Sequence, residues 1–178
     1  MNNLNKTFWN NYYINTNDDI KNNSSFSEFV YSNFIKIYNE NNVFLKICDL
    51  GSGNCRDSTF FNNKGNLCYG VDINGVIEKE SKNCKLIKED VVKTLKNKEL
   101  QTLFDIIYMR WFLHALPYNL SHDIFVNAVH NLKPNGLICI EVRSINDNEL
   151  RKASTFNEDD KSYTTKHKRW LYSIDTVS

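Results

Sequence analysis

Apolar and polar residues follow different patterns on either side of position 43. Across 24–42 the apolar side chains recur every three or four residues, which predicts an amphipathic helix whose start Ser24 or Ser25 can cap. From 43 onward, short apolar runs rich in β-branched residues alternate with mixed polar stretches, a pattern typical of buried strands separated by helices. The apolar positions of the first helix are Phe26, Phe29, Val30, Phe34, Ile37 and Tyr38.

The alternation of strands and helices continues from 43 to 144. It predicts an α/β fold, a doubly wound parallel sheet of five strands with helices on both faces. Ligands of such sheets bind at the carboxyl ends of the strands, where the polar residues considered below lie. The predicted strands are 43–50, 67–73, 84–90, 104–111 and 137–144. The predicted helices are 56–63, 74–81, a broken helix over 91–103 and 121–132, followed by a Lys-Pro-Asn-Gly turn at 133–136.

Composition and charge narrow the possible functions. The chain has 178 residues, enough for one domain, and its 22 basic and 21 acidic side chains give a net charge of +1. This balance does not suggest capture of nucleic acid or of a membrane surface, and no stretch resembles a signal peptide or a membrane span. The five cysteines form no Cys-x-x-Cys pair, so we expect free thiols and a cytoplasmic protein. The four histidines lack metal-ligand spacing.

The sequence ICDLGSGNCRDS at 47–58 places two glycines directly after the first strand. Gly51 and Gly53 allow a tight turn and close approach of a ligand to the backbone, although an ordinary strand-to-helix turn needs glycine as well. A dinucleotide loop requires a third glycine where this chain has Arg56, and no Gly-Lys-Ser/Thr sequence of a P-loop follows. Asp49 beside the glycines disfavours a phosphate and favours a ligand with a cationic, amine-bearing tail.

Two further carboxylates follow the second and third strands. Asp72 lies about twenty residues after Gly51, where a carboxylate can accept hydrogen bonds from both hydroxyls of a ribose; the alternative is a cap for the next helix. Asp90 can accept from the amine of an adenine while the N–H of Val91 donates to the ring, although an acid in this position is more often a solvated helix cap. An ammonium tail, a ribose and an adenine without phosphate describe S-adenosylmethionine.

The order of these motifs resembles that of the class I S-adenosylmethionine-dependent methyltransferases over 43–144. Five ordered sequences carry the resemblance: DLGSGNCRDS, YGVDIN, KEDVV, FDIIYMRWFLHAL and LKPNGLICIEVRS. The sequences GNCRDS and RWFLH look like those of a bacterial-type small-molecule or sugar methyltransferase branch, with some similarity to tellurite-resistance-type enzymes. Ser52 and Cys55 depart from the family's usual residues, and Cys55, where glycine is common, stiffens the turn. The resemblance implies cofactor contacts from Asp49, Gly51, Ser52, Gly53, Asn54, Asp72, Ile73, Asp90, Val91 and Arg110.

The resemblance also implies methyl transfer to a small polar acceptor, with a sugar hydroxyl as one candidate. His114, just past the fourth strand, is the candidate general base. Arg110 is the candidate partner of an anionic acceptor, and it would share a face with His114 if the segment were helical. The alternatives are a structural role for His114 and an ion pair between Arg110 and either Asp49 or Glu141. Weaker candidates for the acceptor side are Glu141, Arg143, His167 and Arg169.

Two segments are expected outside the core. Residues 1–42 form an N-terminal helical segment in which Trp9, Tyr12 and Tyr13 either cover the cofactor as a lid or dock the first helix. Residues 145–178 begin with a polar loop over 146–161 and end in the start of a helix over 166–172. The family's C-terminal antiparallel hairpin does not fit in this length. We therefore expect a fragment with an open edge beside the fifth strand, where another chain or a second copy can pair.

Two other functions remain open from the sequence alone. A methyltransferase-like scaffold would show no turnover, whether or not it binds the cofactor. An NAD-dependent oxidoreductase is disfavoured by Arg56 at the position of the third glycine. Methylation of RNA is disfavoured by the near-neutral charge, which offers no basic stripe for a nucleic-acid backbone.

Overall fold

A parallel sheet of five strands forms the centre of the protein in a computed structural model, which describes residues 5, 7–9, 11–12, 22–77, 81–97 and 103–173. The strand order is β3-β2-β1-β4-β5, and all neighbouring strands are parallel. Strand order reverses between β1 and β4, which is where ligands bind in doubly wound sheets. The predicted fold class is confirmed. The strands are β1 (Lys46–Leu50), β2 (Leu67–Val71), β3 (Cys84–Ile87), β4 (Phe104–Arg110) and β5 (Leu132–Glu141).

Helices pack on both faces of this sheet. Alternate residues of β4 show the two faces, because Ile106 and Tyr108 join one apolar cluster while Ile107 and Met109 join another. The helices are α1 (Ser25–Val30), a π-helical turn (Tyr31–Ile35), α2 (Lys36–Glu40), α3 (Arg56–Asn63), α4 (Val91–Leu95), a 3-10 turn (Leu113–Ala115), α5 (Tyr118–His130) and α6 (Asn148–Ala153).

The first helix begins as predicted but presents a different face. The Oγ of Ser24 accepts a hydrogen bond from the N–H of Ser27 at 3.1 Å and so caps α1. A π turn follows, and its wider spacing rotates the later side chains around the helix axis. Ile35 is therefore buried, whereas Phe34 and Ile37 of the predicted apolar face are 38% and 65% exposed.

Two elements that the sequence predicted between the strands differ in the described part of the chain, which leaves out 78–80. Residues 74–77 are not helical, and Ser81 forms a bridge with Cys84 instead of ending the predicted helix over 74–81. The predicted turn at 133–136 lies within β5 as a bulge, where the pairing with β4 shifts and Asn135 has a φ of 64°.

The C-terminal segment contains a small antiparallel sheet of its own. Its strands are β6 (Thr155–Phe156), β7 (Tyr163–Thr164) and β8 (Lys168–Arg169). The predicted helix over 166–172 is therefore wrong, and the predicted loop over 146–161 contains α6 and β6. Antiparallel strands do fit after β5, but among the described residues none pairs with its outer edge.

After β8 the chain returns to the end of the main sheet. The N–H of Trp170 donates to the carbonyl of His114 at 2.8 Å, and the N–H of Tyr172 donates to the carbonyl of Arg143 at 2.9 Å. These bonds bring the C-terminal segment alongside the residues that follow β4 and β5, where the predicted acceptor side lies.

All five cysteines are free and buried. Within the described ranges, no group of His, Cys, Asp and Glu side chains could hold a metal ion. No helix in the same part of the chain is long and apolar enough to cross a membrane.

Candidate functional site

One cleft at the carboxyl ends of the central strands brings the predicted site residues together. Its volume is about 320 Å³, a size typical of small-molecule sites. Gly53 and the weaker candidate Glu141 do not line it, but the N–H of Gly53 donates to Asp72 Oδ2 at 3.1 Å and Glu141 pairs with Arg110. The predicted residues that line the cleft are Asp49, Gly51, Ser52, Asn54, Asp72, Ile73, Asp90, Val91, Arg110 and His114.

The loop after β1 has a fixed backbone. The N–H groups of Gly51 and Ser52 both donate to the carbonyl of Val71, at 2.8 and 3.3 Å. Gly51 has a φ of 75°, and a Cβ at this position would collide with the ring of Phe112, so only glycine fits. Cys55 also has a positive φ, 56°, which is unusual for a residue with a side chain and accounts for the stiff turn.

Asp49 is a buried carboxylate in this loop. It is 4% exposed, and its Oδ2 accepts a hydrogen bond from the Ser58 hydroxyl at 2.6 Å. Burial raises the pKa of Asp49 to about 7, the charge of Asp57 adds to the rise, and the Ser58 bond opposes it. Among the described residues, no Lys, Arg or His lies within ion-pair distance of Asp49. A cation bound beside Asp49 would therefore supply a partner that the described part of the chain lacks.

Asp72 and Asp90 both accept hydrogen bonds from backbone N–H groups; for Asp90 this is the helix cap that was its alternative role, whereas residues 74–77 after Asp72 are not helical. Asp72 accepts from Asn74 at 2.8 Å as well as from Gly53, and burial raises its pKa. Asp90 caps α4 by accepting from the N–H of Val92 at 2.9 Å. A carboxylate has about four lone-pair sites, so these bonds leave capacity for a ligand. Both side chains line the cleft, and the backbone bonds fix their orientation.

Asp57 is a buried structural residue whose role the sequence did not reveal. Its carboxylate accepts from the backbone N–H and the hydroxyl of Ser24, at 2.7 and 2.8 Å, and from the hydroxyl of Tyr108 at 2.8 Å. These bonds connect α3 to α1 and β4. The partners lie far away in sequence, so the only available signal was an acid in the first turn of a helix. Arg56 is less constrained and reaches the carbonyl of Asn22 at 3.3 Å.

Arg110 and His114 lie at the other end of the cleft. Arg110 ends β4, so the helical face it was expected to share with His114 does not form. Its Nε lies 2.8 Å from Glu141 Oε2, an ion pair without hydrogen-bond geometry. His114 is 2% exposed, and its Nδ1 has no hydrogen-bond partner among the described residues. Burial, together with nearby cations, of which Arg169 has the largest effect, lowers the pKa of His114 to about 3, so the ring is neutral at physiological pH.

Aromatic residues from the N-terminal segment form part of the cleft wall. Phe8, Trp9 and Tyr12 line the cleft, and the rings of Phe8 and Trp9 lie 4.2 and 5.0 Å from the ring of His167. Asn5 fixes this segment by donating to the carbonyl of Ala115 at 2.7 Å. The contacts put Trp9 and Tyr12 where a lid would lie; Tyr13 is outside the described residues.

Comparisons with known proteins address the fold. No family model and no curated protein matches this chain. A 1,6-didemethyltoxoflavin-N1-methyltransferase of Burkholderia thailandensis, solved with S-adenosylhomocysteine bound, aligns with a TM-score of 0.62 and 14% identity, over 98% of this chain and 72% of the other. The chain has the class I methyltransferase fold.

Two further structures show the same methyltransferase fold. The PH0226 protein of Pyrococcus horikoshii OT3 aligns with a TM-score of 0.66 and 15% identity, over 94% of this chain and 85% of the other. DhpI, solved as a SAM-HEP complex, aligns with a TM-score of 0.61 and 10% identity, over 98% of this chain and 84% of the other. At such identities the likeness concerns the fold alone, and an argument for activity depends on the residues of the cleft.

Proposed function

We propose that the protein is an S-adenosylmethionine-dependent methyltransferase that acts on a small polar acceptor. The observation that carries the proposal is Asp49, a buried carboxylate that lies against the glycine loop without a cationic partner among the described residues. The ammonium of a methionine tail would provide that partner. The pyrophosphate of a dinucleotide would instead bring negative charge towards a carboxylate in a poorly solvated site.

The residues of the loop and of the next two strand ends fit the rest of the cofactor. Asp72 would accept from the ribose hydroxyls, because two backbone N–H groups already hold its carboxylate in the cleft. Asp90 and Val91 would contact the adenine, with the exposed side chain of Ile73 against the ring. S-adenosylmethionine, when bound, supplies an activated methyl group for an in-line displacement. The chain's own task is to orient the acceptor and to exclude water, which the aromatic wall of Phe8, Trp9 and Tyr12 favours.

His114 is the proposed proton acceptor for an acceptor hydroxyl, such as that of a sugar. The neutral ring lines the cleft and is therefore able to take up a proton. A pKa of about 3 makes the ring a weak base, and a negative charge bound among the neighbouring arginines would raise it. Replacing His114 with Gln should lower kcat for a hydroxyl acceptor while the affinity for S-adenosylhomocysteine is unchanged.

Calorimetry with S-adenosylhomocysteine tests the proposal. Wild-type protein should bind it saturably, and Asp72→Ala should weaken binding by about 30-fold or more, because two hydrogen bonds to a charged group are worth ~2 kcal/mol or more. Asp123→Ala is the matched control, since Asp123 lies exposed on α5 outside the cleft. Absence of binding at millimolar ligand, with Asp72→Ala indistinguishable from wild type, would contradict the proposal. NAD binding in its place would favour the oxidoreductase, and cofactor binding without turnover on any acceptor would favour the scaffold.

A further inference from the structure

The end of the cleft opposite the glycine loop contains a cluster of basic side chains. Arg110, Arg143 and Arg169 come from the ends of β4 and β5 and from β8, and all three line the cleft. The guanidinium carbons of Arg110 and Arg143 lie 4.2 and 4.9 Å from the centre of the Trp111 ring. Trp111 has a φ of 53°, an unfavourable conformation that gives the ring its position between the two arginines.

The carboxylates of the described residues do not balance this cluster. Arg110 pairs with Glu141 at 2.8 Å, and Arg143 pairs with Asp147 at 3.1 Å. Arg169 donates to the Thr165 hydroxyl at 2.6 Å, and no described carboxylate lies within ion-pair distance of it. Three guanidinium groups against two carboxylates leave one positive charge without a partner. Burial lowers the pKa of Arg169, the charge of Arg143 adds to the shift, and the charge of Asp147 opposes it.

Two buried histidines add unsatisfied polar atoms to the same end. His114 and His167 are 2% and 3% exposed, and both line the cleft. Neither ring nitrogen of His167, nor Nδ1 of His114, has a hydrogen-bond partner in the described part of the chain. A buried polar atom without a partner is unfavourable, so a ligand that supplies hydrogen-bonding atoms here would recover that free energy. A small polar molecule with negative charge matches both the histidines and the arginines.

We propose that Arg143 and Arg169 bind an oxyanion of the methyl acceptor, a carboxylate or a phosphate group, and hold the acceptor beside Trp111. This inference rests on the proposed function, because it concerns the acceptor end of the same cleft. Arginine suits the task, since its planar guanidinium donates two parallel hydrogen bonds to either group. Arg143 lines the cleft while it pairs with Asp147, and Arg169 contributes the charge that no described carboxylate pairs with.

The test uses small anions as probes, because the acceptor itself is not identified. Protein saturated with S-adenosylhomocysteine is titrated with inorganic phosphate, with acetate and with neutral acetamide, and binding is followed by NMR of the histidine rings. Wild-type protein should bind at least one anion saturably and should not bind acetamide. Stronger binding of phosphate would indicate a phosphorylated acceptor, and stronger binding of acetate would indicate a carboxylic acid. Both results would support the oxyanion site.

Variants connect this binding to the two arginines. Arg143→Gln and Arg169→Gln should each weaken anion binding by about tenfold, the effect of losing one charge-assisted hydrogen bond, while S-adenosylhomocysteine binds within about twofold of wild type. Arg169→Lys should keep part of the affinity, because the charge remains and the paired geometry is lost. Arg151→Gln is the matched control: Arg151 lies exposed on α6 and does not line the cleft.

Three results would overturn the inference. The first is no anion binding by wild type at about 100 mM, a concentration that would fill most of a site with a Kd of about 30 mM, although S-adenosylhomocysteine binds. The second is anion binding by Arg143→Gln and Arg169→Gln that equals wild type. The third is loss of S-adenosylhomocysteine binding in these variants, which would show that the arginines do not serve the acceptor alone. Failure of wild-type protein to bind S-adenosylhomocysteine is a different outcome, because it contradicts the proposed function itself.

Discussion

The two halves of the cleft carry opposite charge and are built differently. In the acidic half, at the ends of β1 to β3, backbone N–H groups and a serine hydroxyl hold the carboxylates in place. In the basic half, carboxylates, a threonine hydroxyl and an indole ring hold the guanidinium groups. The difference suggests that the acidic half binds the cationic tail of the cofactor and the basic half binds an anionic acceptor. The methyl group and the acceptor would then meet between the two halves. The acidic half consists of Asp49, Asp72 and Asp90, and the basic half consists of Arg110, Arg143 and Arg169.

Removing the charge of the acidic half at Asp49 should have the largest effect. Asp49→Asn is expected to weaken S-adenosylhomocysteine binding about 100-fold by calorimetry, because the ligand's ammonium loses a charged hydrogen bond worth ~2–3 kcal/mol. The same variant should be more stable than wild type at pH 8, where wild type must bury an ionised carboxylate whose pKa burial has raised to about 7. Asp123→Asn should change neither property. If Asp49→Asn bound S-adenosylhomocysteine as tightly as wild type does, the charge of Asp49 would not contribute to cofactor binding.

The pH dependence of cofactor binding tests the same residue without mutation. Below its pKa of about 7, Asp49 must lose a proton before it can pair with an ammonium, so affinity should rise by about tenfold per pH unit up to that value and then level off. Without ligand the sign is opposite: the folded state binds the proton more tightly, so its stability should fall as pH rises from about 4 to 7. Calorimetry and thermal melts between pH 5 and 8.5 measure both. Dependence on pH that persists in Asp49→Asn would assign the titration to another group.

A smaller effect should separate the basic half from the acidic half. The side chain of Asn5 is buried, donates to the carbonyl of Ala115 and accepts from the N–H of Lys168 at 2.9 Å, next to His114 and Arg169. Asn5→Ala should cost about 1–3 kcal/mol of stability, measured by urea unfolding. It should also weaken phosphate binding more than S-adenosylhomocysteine binding.

The control for this variant is Asn127→Ala, because Asn127 is half-buried on α5 outside the cleft and its side chain donates to the carbonyl of Asp123 in the same helix. Equal losses of both ligands in Asn5→Ala would show that the two halves are not independent.

The smallest effect is expected at Cys55. Cys55→Gly relieves a left-handed backbone conformation that costs about 1–2 kcal/mol, but it also removes a buried thiol and makes the unfolded chain more flexible. The relief of backbone strain nearly cancels the other two effects. The free energy of unfolding should therefore change by less than about 1 kcal/mol, and cofactor affinity should be unchanged. A large change in affinity would indicate that the conformation of the loop, and not the charge of Asp49, dominates binding.

The sheet and the acidic half could be predicted because their signals are local. Buried parallel strands give continuous apolar runs, and the acids that end them are adjacent in sequence, so β1 to β5 and the places of Asp49, Asp72 and Asp90 followed from the chain alone. The bounds were less accurate: the observed β1 begins at Lys46 where 43 was predicted, and β5 extends back to Leu132 through a bulge.

The basic half was harder to predict because its parts come together only in three dimensions. Strands of two residues, such as β8, are too short to show an alternation of apolar and polar residues. The sequence therefore suggested a helix where Arg169 lies in a strand. The π turn was equally invisible, although it decides that Ile35 is buried. Asp57 joins three elements through partners 33 and 51 residues away, a relation that no local pattern encodes.

A crystal structure with S-adenosylhomocysteine would test the division of the cleft most directly. We expect the ligand's ammonium beside Asp49, its ribose hydroxyls within hydrogen-bond distance of Asp72, and its sulfur facing the half that contains Arg143 and Arg169. A ligand bound with its carboxylate at Asp49, or with its adenine among the arginines, would contradict this division.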